Sequence, residues 1–497
     1  MTVARRPFDM ALPGELRELL CAAPELRSAY VVGGSVRDAY LLHDGKDFDV
    51  EVFGQPYEAL QARLSRHGRL DCVGRSFGVI KLTTRPGATY DFSIPRRDSK
   101  VASGHRGFIA AFDPSLTLEE ASARRDFTIN ALMFDPRSRE IIDCHGGLVD
   151  LDARTLRHTS PAFVEDPLRV MRGMQFAGRF DLVATPQTID LCRSIKSTFA
   201  EIAKERVREE WMKWAERAVR PSRGLEFLAA TGWIEHFPEI ARLRGTPQDP
   251  EWHPEGDVFV HTAHCCDAMA KLPVWLEADP SSRIAWMFAI LAHDFGKPDT
   301  TREETRHGRL RIVSPEHEPL GAELCVPFFE RLHMTNEITE RVIPLVAHHL
   351  AHMQSGSDRA IRRLAHRLQP ETIQGLCAVM SADALGRPPR PAIIPESVHE
   401  LLRRSQELRM QTQGPEPILK GRHLLALGLR PGKKIGLITA LAFEAQLEGT
   451  FQDLASARAW LAAAELPMLE EKEKELLITR IAEGAVDPES EGPAGVQ

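Results

Sequence analysis

Two patterns of hydrophobic and polar residues divide the chain near Pro161. Before this residue, short runs of β-branched and aromatic residues alternate with short helical stretches, and strands are predicted at 48–53, 79–83 and 89–94. After it, apolar residues recur every three or four positions, as in amphipathic helices. The clearest helical stretches are 167–180, 204–219 and 224–231. The pattern therefore predicts an α+β protein, with a small mixed sheet and helices in the head and helices in the remainder.

Loops rich in Pro, Gly and Asp suggest where this helical remainder is divided. Such loops occur at 245–256, 387–395 and 413–417. A chain of 497 residues is also too long for one core and suggests roughly three or four domains. We predict a head, a helical neck, a His-rich helical domain, a C-terminal helical region and a disordered tail, at 1–150, 151–245, 246–390, 391–483 and 484–497.

The composition excludes few classes of protein. The hydrophobic and charged fractions, 43% and 27%, are ordinary for a soluble protein. No secretory signal is visible at the start, and no apolar segment approaches the roughly 20 residues of a membrane span. Eight cysteines without CxxC spacing fit reduced thiols in the cytoplasm. The net charge of -7 argues against a protein coated in nucleic acid, but it is compatible with a local basic surface.

A glycine-rich turn provides the first candidate binding site. Gly33, Gly34 and Ser35 lead from an apolar run into a helical stretch. Two glycines allow backbone N–H groups to approach a phosphate closely at the start of a helix. Arg37, one turn later, is placed to pair with the same phosphates.

Carboxylates follow this turn. Asp47 and Asp49 alternate along a predicted strand, so they share a face and would repel each other unless a cation lies between them. Carboxylate oxygens suit Mg²⁺, which also binds nucleotide phosphates. Asp91, in a later strand, is the preferred third catalytic carboxylate, and Glu51 is the alternative.

Four ordered motifs carry a resemblance: GGSVRD at 33–38, DFD at 47–49, RRDFTINAL at 124–132 and EDPLRVMR at 165–172. Together they resemble the polymerase-β-like superfamily, in the class II branch that holds bacterial tRNA nucleotidyltransferases and poly(A) polymerases. The likeness extends from about residue 30 to residue 237. It implies a polymerase-β-like nucleotidyltransferase head in which the first aspartates bind metal, while later Asp and Arg residues bind the nucleotide.

Asp166 and Arg169 are predicted to select the base. They are three residues apart, which puts them on one face of a helix. A carboxylate accepts hydrogen bonds and a guanidinium donates them. This pair matches the exocyclic NH₂ donor and ring-nitrogen acceptor of cytosine and adenine, but it does not match the groups of uracil or guanine. The resemblance implies that Arg125 and Arg172 hold the triphosphate or ribose. The family often carries another arginine where this chain has Gln175.

The middle region is predicted to hold a second metal site. His261, the pair His293 and Asp294, and Asp383 occur in the order H…HD…D, and the segment AHDFGK at 292–297 resembles the HD phosphohydrolase superfamily. Such ligands suit a divalent metal such as Mg, Mn, Ni or Co. His317 and His348 would add ligands for a second ion. His264 is an alternative to His261, and His349 to His348; a purely structural HD domain is the alternative to an active one.

The C-terminal region combines glycine turns with basic residues. Lys420, Arg422, Lys433 and Lys434 are predicted to contact an RNA backbone. The expected partners are tRNA, ATP and CTP, and the expected reaction is addition of CCA to the tRNA 3′ end. The alternatives are poly(A) synthesis, addition of only CC or only A, or a metal phosphohydrolase with an inactive head. The sequence leaves the oligomeric state open.

Overall fold

The structure is a computed structural model that describes residues 3–43, 47–71, 78–84, 87–100, 108–351 and 356–483. The chain forms two compact units. The first contains Met1–Gly245 and Pro327–Met334, and the second contains Thr246–Val326 and Thr335–Gln497. The predicted disordered tail, 484–497, lies outside the described residues.

The first unit is built on an eight-stranded mixed sheet with the strand order β1-β10-β9-β2-β3-β6-β5-β4. Neighbouring strands are antiparallel, except that β3 and β6 are parallel, and this pair aligns Asp49 with Asp91. β7 and β8 form a separate hairpin. The strands of the head are β1 Ala4–Pro7, β2 Ala29–Val32, β3 Asp49–Val52, β4 Gly68–Asp71, β5 Val79–Thr84, β6 Thr89–Ser93, β7 Arg96–Lys100, β8 Phe108–Phe112, β9 Met133–Asp135 and β10 Glu140–Asp143.

Apolar residues of the central strands form the core of the head. Val31, Val50 and Val52 are fully buried, as expected for β-branched residues in the middle of a sheet. Helix α4 is fixed by a capping box between Thr117 and Glu120. The helices of this part are α1 Gly14–Ala22, α2 Gly34–Tyr40, α3 Tyr57–Leu64, α4 Leu118–Ala123 and α5 Gly147–Asp152.

Helices of the neck follow the head. Trp211 and Trp214 of α8 are fully buried, and the Trp214 indole N–H donates a 3.1 Å hydrogen bond to the Pro221 carbonyl. This bond ties the end of α8 to the start of α9. The helices are α6 Leu168–Phe180, α7 Pro186–Ser194, α8 Lys204–Arg217, α9 Pro221–Thr231 and α10 Pro238–Ala241.

The second unit begins with the helices that carry the His-rich motifs. Asp257, Asp279 and Thr372 cap α11, α13 and α18 through their side chains. The helices are α11 Val258–Met269, α12 Pro273–Leu276, α13 Pro280–Ala292, α14 Lys297–Thr300, α15 His317–Arg331, α16 Asn336–His348, α17 Asp358–Leu368 and α18 Ile373–Leu385. The end of α15, from Pro327, is counted with the first unit.

The C-terminal helices are α19 Glu396–Glu407, α20 Gly421–Ala426, α21 Lys433–Glu448, α22 Leu454–Ala463 and α23 Glu471–Ala482. The last four share a core of buried apolar residues that includes Leu424, Ile438 and Leu461. This core explains why a segment with exposed basic residues folds as helices instead of remaining a flexible tail.

The predicted fold class is confirmed: a mixed-sheet head is followed by helices. The predicted strands correspond to β3, β5 and β6, and the predicted neck helices to α6, α8 and α9. The helical part also contains two small sheets that its periodicity did not predict. One pairs β11 Thr155–Leu156 with β12 Val183–Ala184, and the other pairs β13 Arg302–Arg306 with β14 Arg309–Val313.

Two further sequence expectations concern membranes and thiols. Among the described residues, no helix is both long and apolar enough to cross a bilayer. The described cysteines are free thiols, and most of them are buried.

Candidate active sites

The glycine turn of the head joins β2 to α2. Gly33 has φ of +76°, which a residue with a side chain rarely adopts. Its amide donates a 3.0 Å hydrogen bond to the Leu132 carbonyl. A Cβ on Gly33 would stand 3.4 Å from Nη1 of Arg125, so the turn lies directly beside this arginine. Ser35 is buried, and its hydroxyl is 3.4 Å from the Val32 carbonyl.

Arg37 is enclosed by the protein. Its Nη2 lies 2.6 Å from Oδ1 of Asp38, and it also donates to Oδ1 of Asn130. The guanidinium packs against the rings of Phe176 and Phe180, at 5.2 and 4.5 Å from their centroids. Its side chain is only 5% exposed. In this arrangement Arg37 fixes the turn against the neck, and the predicted contact with phosphate would require these bonds to rearrange.

The predicted catalytic carboxylates meet on the parallel strands. Asp49 begins β3, and Asp91 of β6 is its register partner. Asp47 precedes β3 instead of lying on it, although its charge still acts on Asp49. Loss of hydration in the pocket raises the pKa of Asp49, as do Asp91, Asp47 and Glu51, whereas Arg125 lowers it. This crowding of negative charge is the environment that a divalent cation would relieve.

Glu51 occupies a different position from the other carboxylates. It is fully buried, and its Oε1 accepts a 2.9 Å hydrogen bond from Nη2 of Arg124. Its Oε2 lies 3.7 Å from Nη2 of Arg125. Glu51 thus holds the two arginines, and the geometry favours Asp91 as the third carboxylate because Asp91 lines the same open pocket as Asp49.

One pocket contains Asp49, Asp91 and the tandem arginines. Lys81 lies 3.6 Å from Asp91 at its edge. The pocket therefore presents carboxylates and guanidinium groups beside the glycine turn, a combination that suits a metal ion together with a phosphate chain.

The predicted base-selecting pair lies at the start of α6. Asp166 precedes the helix, and its Oδ1 accepts a 3.1 Å hydrogen bond from the Leu168 amide. Arg169 is in the first turn and donates at 2.8 Å to the carbonyls of Ala162 and Arg124. The expectation that both residues lie within one helix is therefore wrong for Asp166. These bonds nevertheless orient Arg169 and tie it to the pocket through Arg124.

Arg172 and Gln175 lie further along α6. The Arg172 Nε donates a 2.7 Å hydrogen bond to Oδ2 of Asp126, and its guanidinium lies over the ring of Phe176. Gln175 is 2% exposed, and its Nε2 has no hydrogen-bond partner among the described residues. Arg172 is thus fixed in place, while the position that is often arginine in the family is here a buried amide.

The second cluster forms in the second unit, where helices from distant parts of the chain converge. The His261 Nε2 lies 3.1 Å from Oδ1 of Asp383 and 3.4 Å from Nε2 of His293. Asp294 links this group to a second group, which contains His317. Its Oδ2 is 3.3 Å from Nε2 of His293, and its Oδ1 is 3.5 Å from Nε2 of His317. The sequence-predicted His261, His293, Asp294, Asp383 and His317 therefore come together.

His349, and not His348, completes the second group. Its Nε2 lies 3.3 Å from Nε2 of His317, and it is 1% exposed. His348 belongs to none of the three groups of nearby ligand atoms among the described residues. The choice of His348 is therefore corrected: adjacent helical residues point about 100° apart, so only one of the two faces the cluster. His264 also lies outside the cluster, whereas His261 is inside it.

Hydrogen bonds to the backbone orient three of the imidazoles. The Nδ1 atoms of His293, His317 and His349 lie 2.6, 2.7 and 2.8 Å from the carbonyls three residues earlier. Each Nδ1–H is assigned as the donor in these bonds, so each Nε2 carries a lone pair toward its neighbours. Such nitrogens 3.3 Å apart repel unless a cation lies between them. The donor set therefore fits a divalent metal ion.

Charges around the cluster keep its carboxylates ionised. Burial alone would raise the pKa of Asp294, but His293 and Lys297 outweigh it and hold that pKa well below the usual value. The Lys297 ammonium is 2.8 Å from Oδ2 of Asp294. Burial, with the nearby imidazoles, lowers the pKa of His349 to about 3. An ionised Asp294 and a neutral His349 are the forms of these two residues that bind metals.

Sequence reasoning did not identify several supporting residues. Glu255 lies 2.8 Å from Nδ1 of His261, and Arg387 lies 2.7 Å from Oδ1 of Asp383. Glu255 stands only six residues before His261, in the loop interpreted as a boundary between domains. Its carboxylate would be expected beside a metal-binding histidine, and this spacing was the one signal available.

The predicted RNA-binding residues lie at the surface of the C-terminal helices. Lys420 precedes α20 and lies 3.5 Å from Glu416, and Lys434 lies 2.8 Å from Glu473. Arg422 and Lys433 are exposed. Exposed ion pairs of this kind are weak, so both lysines can exchange a carboxylate for a phosphate.

Comparison with known protein families places the two sites in two domains. The poly A polymerase head domain family matches residues 29–157, and the HD domain family matches residues 261–387. These matches contain the carboxylate pocket and the His-rich cluster respectively. They imply a divalent metal and nucleoside triphosphate substrates for the chain.

Curated relatives match most of the chain. The multifunctional CCA protein of Stenotrophomonas maltophilia (strain R551-3) is 34% identical over 382 residues, which cover 72% of this chain and 86% of that protein. The multifunctional CCA protein of Xanthomonas campestris pv. campestris (strain B100) is 35% identical over 371 residues, covering 72% and 85%.

Solved structures share the fold. The Bacillus stearothermophilus CCA-adding enzyme in complex with CTP has a TM-score of 0.60 and 19% identity, covering 95% of this chain and 99% of that one. The Thermotoga maritima CCA-adding enzyme complexed with tRNA has a TM-score of 0.56 and 18% identity, covering 97% and 100%. With the identity of the curated relatives, these findings show that the chain belongs to the family of class II CCA-adding enzymes with an HD domain.

Proposed function

We propose that this protein adds C and A residues to the 3′ end of tRNA, using CTP and ATP without a nucleic-acid template. The observation that carries the proposal is the register of β3 and β6, which brings Asp49 and Asp91 together beside Arg125 and the Gly33 turn. The family membership supports the same reaction.

The chemical step is an in-line displacement. The 3′-hydroxyl oxygen of the RNA attacks the α-phosphorus of the nucleotide, the bond to the bridging oxygen breaks, and pyrophosphate leaves. Asp47 and Asp49 would hold Mg²⁺, which supplies charge stabilisation for the attacking and leaving oxygens. Asp91 orients the hydroxyl and accepts its proton.

The remaining residues bind the nucleotide. Gly34 of the turn and Arg125 seat the triphosphate. Arg169, which is held by two carbonyls, presents its remaining N–H groups to the ring nitrogen of the base, while Asp166 accepts from the exocyclic amine. Arg172, fixed by Asp126, supports the ribose or triphosphate.

The test uses tRNA transcripts that end at the discriminator base, at C or at CC. Each is incubated with Mg²⁺ and with labelled CTP, ATP, UTP or GTP, singly and in pairs, and the products are resolved to single nucleotides. The proposal requires all three transcripts to be completed to CCA, with addition stopping there. Only CC addition, only A addition or a long A ladder would each assign the corresponding rival activity.

The second cluster supports a second activity, metal-dependent phosphodiester and phosphomonoester hydrolysis. The observation that favours it is the convergence of four imidazoles on Asp294 and Asp383. The metals that fit these ligands include Mn, Ni and Co as well as Mg. Bis(p-nitrophenyl) phosphate and p-nitrophenyl phosphate are suitable substrates, assayed with each metal in turn.

Two variants distinguish the activities. Asp49→Ala should abolish nucleotide addition and retain hydrolysis, and His293→Ala should do the reverse. Equal loss of both activities in either variant would contradict the assignment of separate sites. If the wild-type protein hydrolyses no phosphate ester with any of these metals, the HD domain is structural.

A further inference from the structure

A thiol lies inside the second cluster. Cys265 follows His261 by four residues on α11, so both side chains lie on the same helix face. The Cys265 Sγ is 3.4 Å from Nε2 of His261, and the residue is fully buried. The Sγ and the ligand atoms of His261, His293 and Asp383 all lie within 4.8 Å of one another.

The three separations that involve His261 match edges of one coordination tetrahedron. Bonds of about 2.1 Å to nitrogen and about 2.3 Å to sulfur place two nitrogens about 3.4 Å apart and a nitrogen and sulfur about 3.6 Å apart. The observed His261–His293 and His261–Cys265 separations are both 3.4 Å. The His261–Asp383 separation is 3.1 Å. Because the remaining pairs of ligand atoms also lie within 4.8 Å of one another, the four groups can converge on one ion.

The neighbouring cysteine offers a contrast. Cys266 is equally buried, but it belongs to none of the groups of nearby ligand atoms in the described part of the chain. A buried cysteine that serves only to pack behaves as a small apolar residue. Cys266 fits that description, whereas Cys265 faces two imidazoles and a carboxylate.

We propose that Cys265 is a thiolate ligand of the metal held by His261, His293 and Asp383. This inference rests on the proposed metal site of the HD domain. When the bond from sulfur to the metal forms, the thiol proton leaves to solvent. A thiolate favours Co, Ni or Zn over Mg or Mn, so Cys265 makes this position selective for the softer metals.

The test measures cobalt coordination in the full-length protein, freed of metal by prolonged dialysis against a chelator and titrated anaerobically with Co²⁺. Wild type should show visible d–d bands and a near-ultraviolet charge-transfer band from thiolate to cobalt. Cys265→Ala and Cys265→Val should lose the charge-transfer band, retain d–d bands and bind Co²⁺ at least about tenfold more weakly. Cys266→Ala is the matched control and should retain both bands and the affinity. Circular dichroism checks the folding of each variant.

Each of the remaining outcomes would overturn either the role of Cys265 or the metal site itself. Persistence of the charge-transfer band in both Cys265 variants, or its loss in Cys266→Ala alone, would overturn the role of Cys265. Wild-type d–d bands without charge transfer would overturn it too, while leaving the metal site intact. A wild-type spectrum identical to that of His293→Ala would reject the metal site itself. If neither Cys265 variant folds, the charge-transfer band of the wild type is compared with the spectra of His293→Ala and Cys266→Ala. This comparison then decides whether Cys265 is a ligand.

Discussion

Asp126 shows how one buried charge fixes a neighbouring arginine, Arg172, in place. It is 7% exposed, and its carboxylate accepts from Nε of Arg172 at 2.7 Å and from Nδ2 of Asn130 at 2.9 Å. Burial would raise its pKa, but Arg172 and Asn130 outweigh burial and lower the pKa to about 2. Because the folded-state pKa lies below the unfolded value of about 3.9, this carboxylate stabilises the fold at neutral pH.

We expect Asp126→Asn to lower the free energy of unfolding by about 2 kcal/mol at pH 7. The stabilisation is fully present above about pH 4 and is lost as the pH falls through about 2. The difference between wild type and variant should therefore shrink as the pH falls from about 4 toward 2. Urea unfolding at several pH values measures it. A difference independent of pH would show that lost packing, and not the charge, causes the destabilisation.

The adjacent histidines at the end of α16 provide a second comparison of single residues. His349 faces the cluster, while His348 lies outside it. His349→Ala should weaken binding of Co²⁺ or Mn²⁺ by at least about tenfold, since it removes an oriented ligand. His348→Ala should leave the affinity unchanged. Isothermal titration of chelator-treated protein makes the comparison, and equal affinities in the two variants would remove His349 from the ligand set.

The neck depends on the close approach of its helices. A Cβ on Gly224 of α9 would lie 2.7 Å from the Met174 carbonyl and 2.8 Å from Nε1 of Trp214. Gly436 of α21 is also helical, but nothing lies within 4 Å of its Cβ position. Small residues at such a contact allow helices to pack, whereas an exposed helical glycine only adds flexibility.

We therefore expect opposite effects from the same substitution. Gly224→Ala should destabilise the first unit by about 1–3 kcal/mol through overpacking. Gly436→Ala should stabilise the second unit by about 0.5–1 kcal/mol, because alanine favours the helix. Chemical unfolding followed by far-ultraviolet circular dichroism reports both. A neutral Gly224→Ala would mean that α9 moves away from α6 at little cost.

The strands and helices also show how much of the fold the sequence predicts. Strand β5 and helix α8 follow from local periodicity, because alternation or a period of 3.6 is a property of neighbouring residues. The pairing of β3 with β6 does not, since no local pattern specifies which strand adds beside another. The preference for Asp91 over Glu51 rested on the flanking residues, and the structure supplies the reason: Glu51 is buried and bound by two arginines of the turn that follows α4.

The second site shows the same division between local and distant information. The HD motif marked His293 and Asp294, since both are adjacent in sequence. Cys265, Glu255 and the choice of His349 over His348 required the convergence of helices separated by about a hundred residues. The position of Asp166 before the start of α6 could not be predicted either, because from the sequence the helix could equally begin one residue earlier or later.

At the scale of the whole molecule, the two units carry separate chemistry. The carboxylate pocket belongs to the first unit, and the His-rich cluster belongs to the second. A metal that binds only the folded cluster stabilises the second unit by mass action.

We expect excess Co²⁺, added to chelator-treated protein, to raise the midpoint of one thermal transition and leave the other unchanged. At about a hundredfold excess over the dissociation constant the gain is about 2.7 kcal/mol. Differential scanning calorimetry measures the two transitions, and His293→Ala should cancel the shift. A shift of both transitions by the same amount would show that the units unfold as one cooperative block.

The burial of the cluster has a consequence for how the protein is handled. His261, His293, Asp294 and His349 are each at most 1% exposed, so an ion held among them separates from all of these ligands only when the surrounding helices open. Exchange of an ion held there is therefore governed by the rate of local opening rather than by affinity. The metal found after purification would record which ions were available while the chain folded during growth, and the composition of the medium becomes an experimental variable.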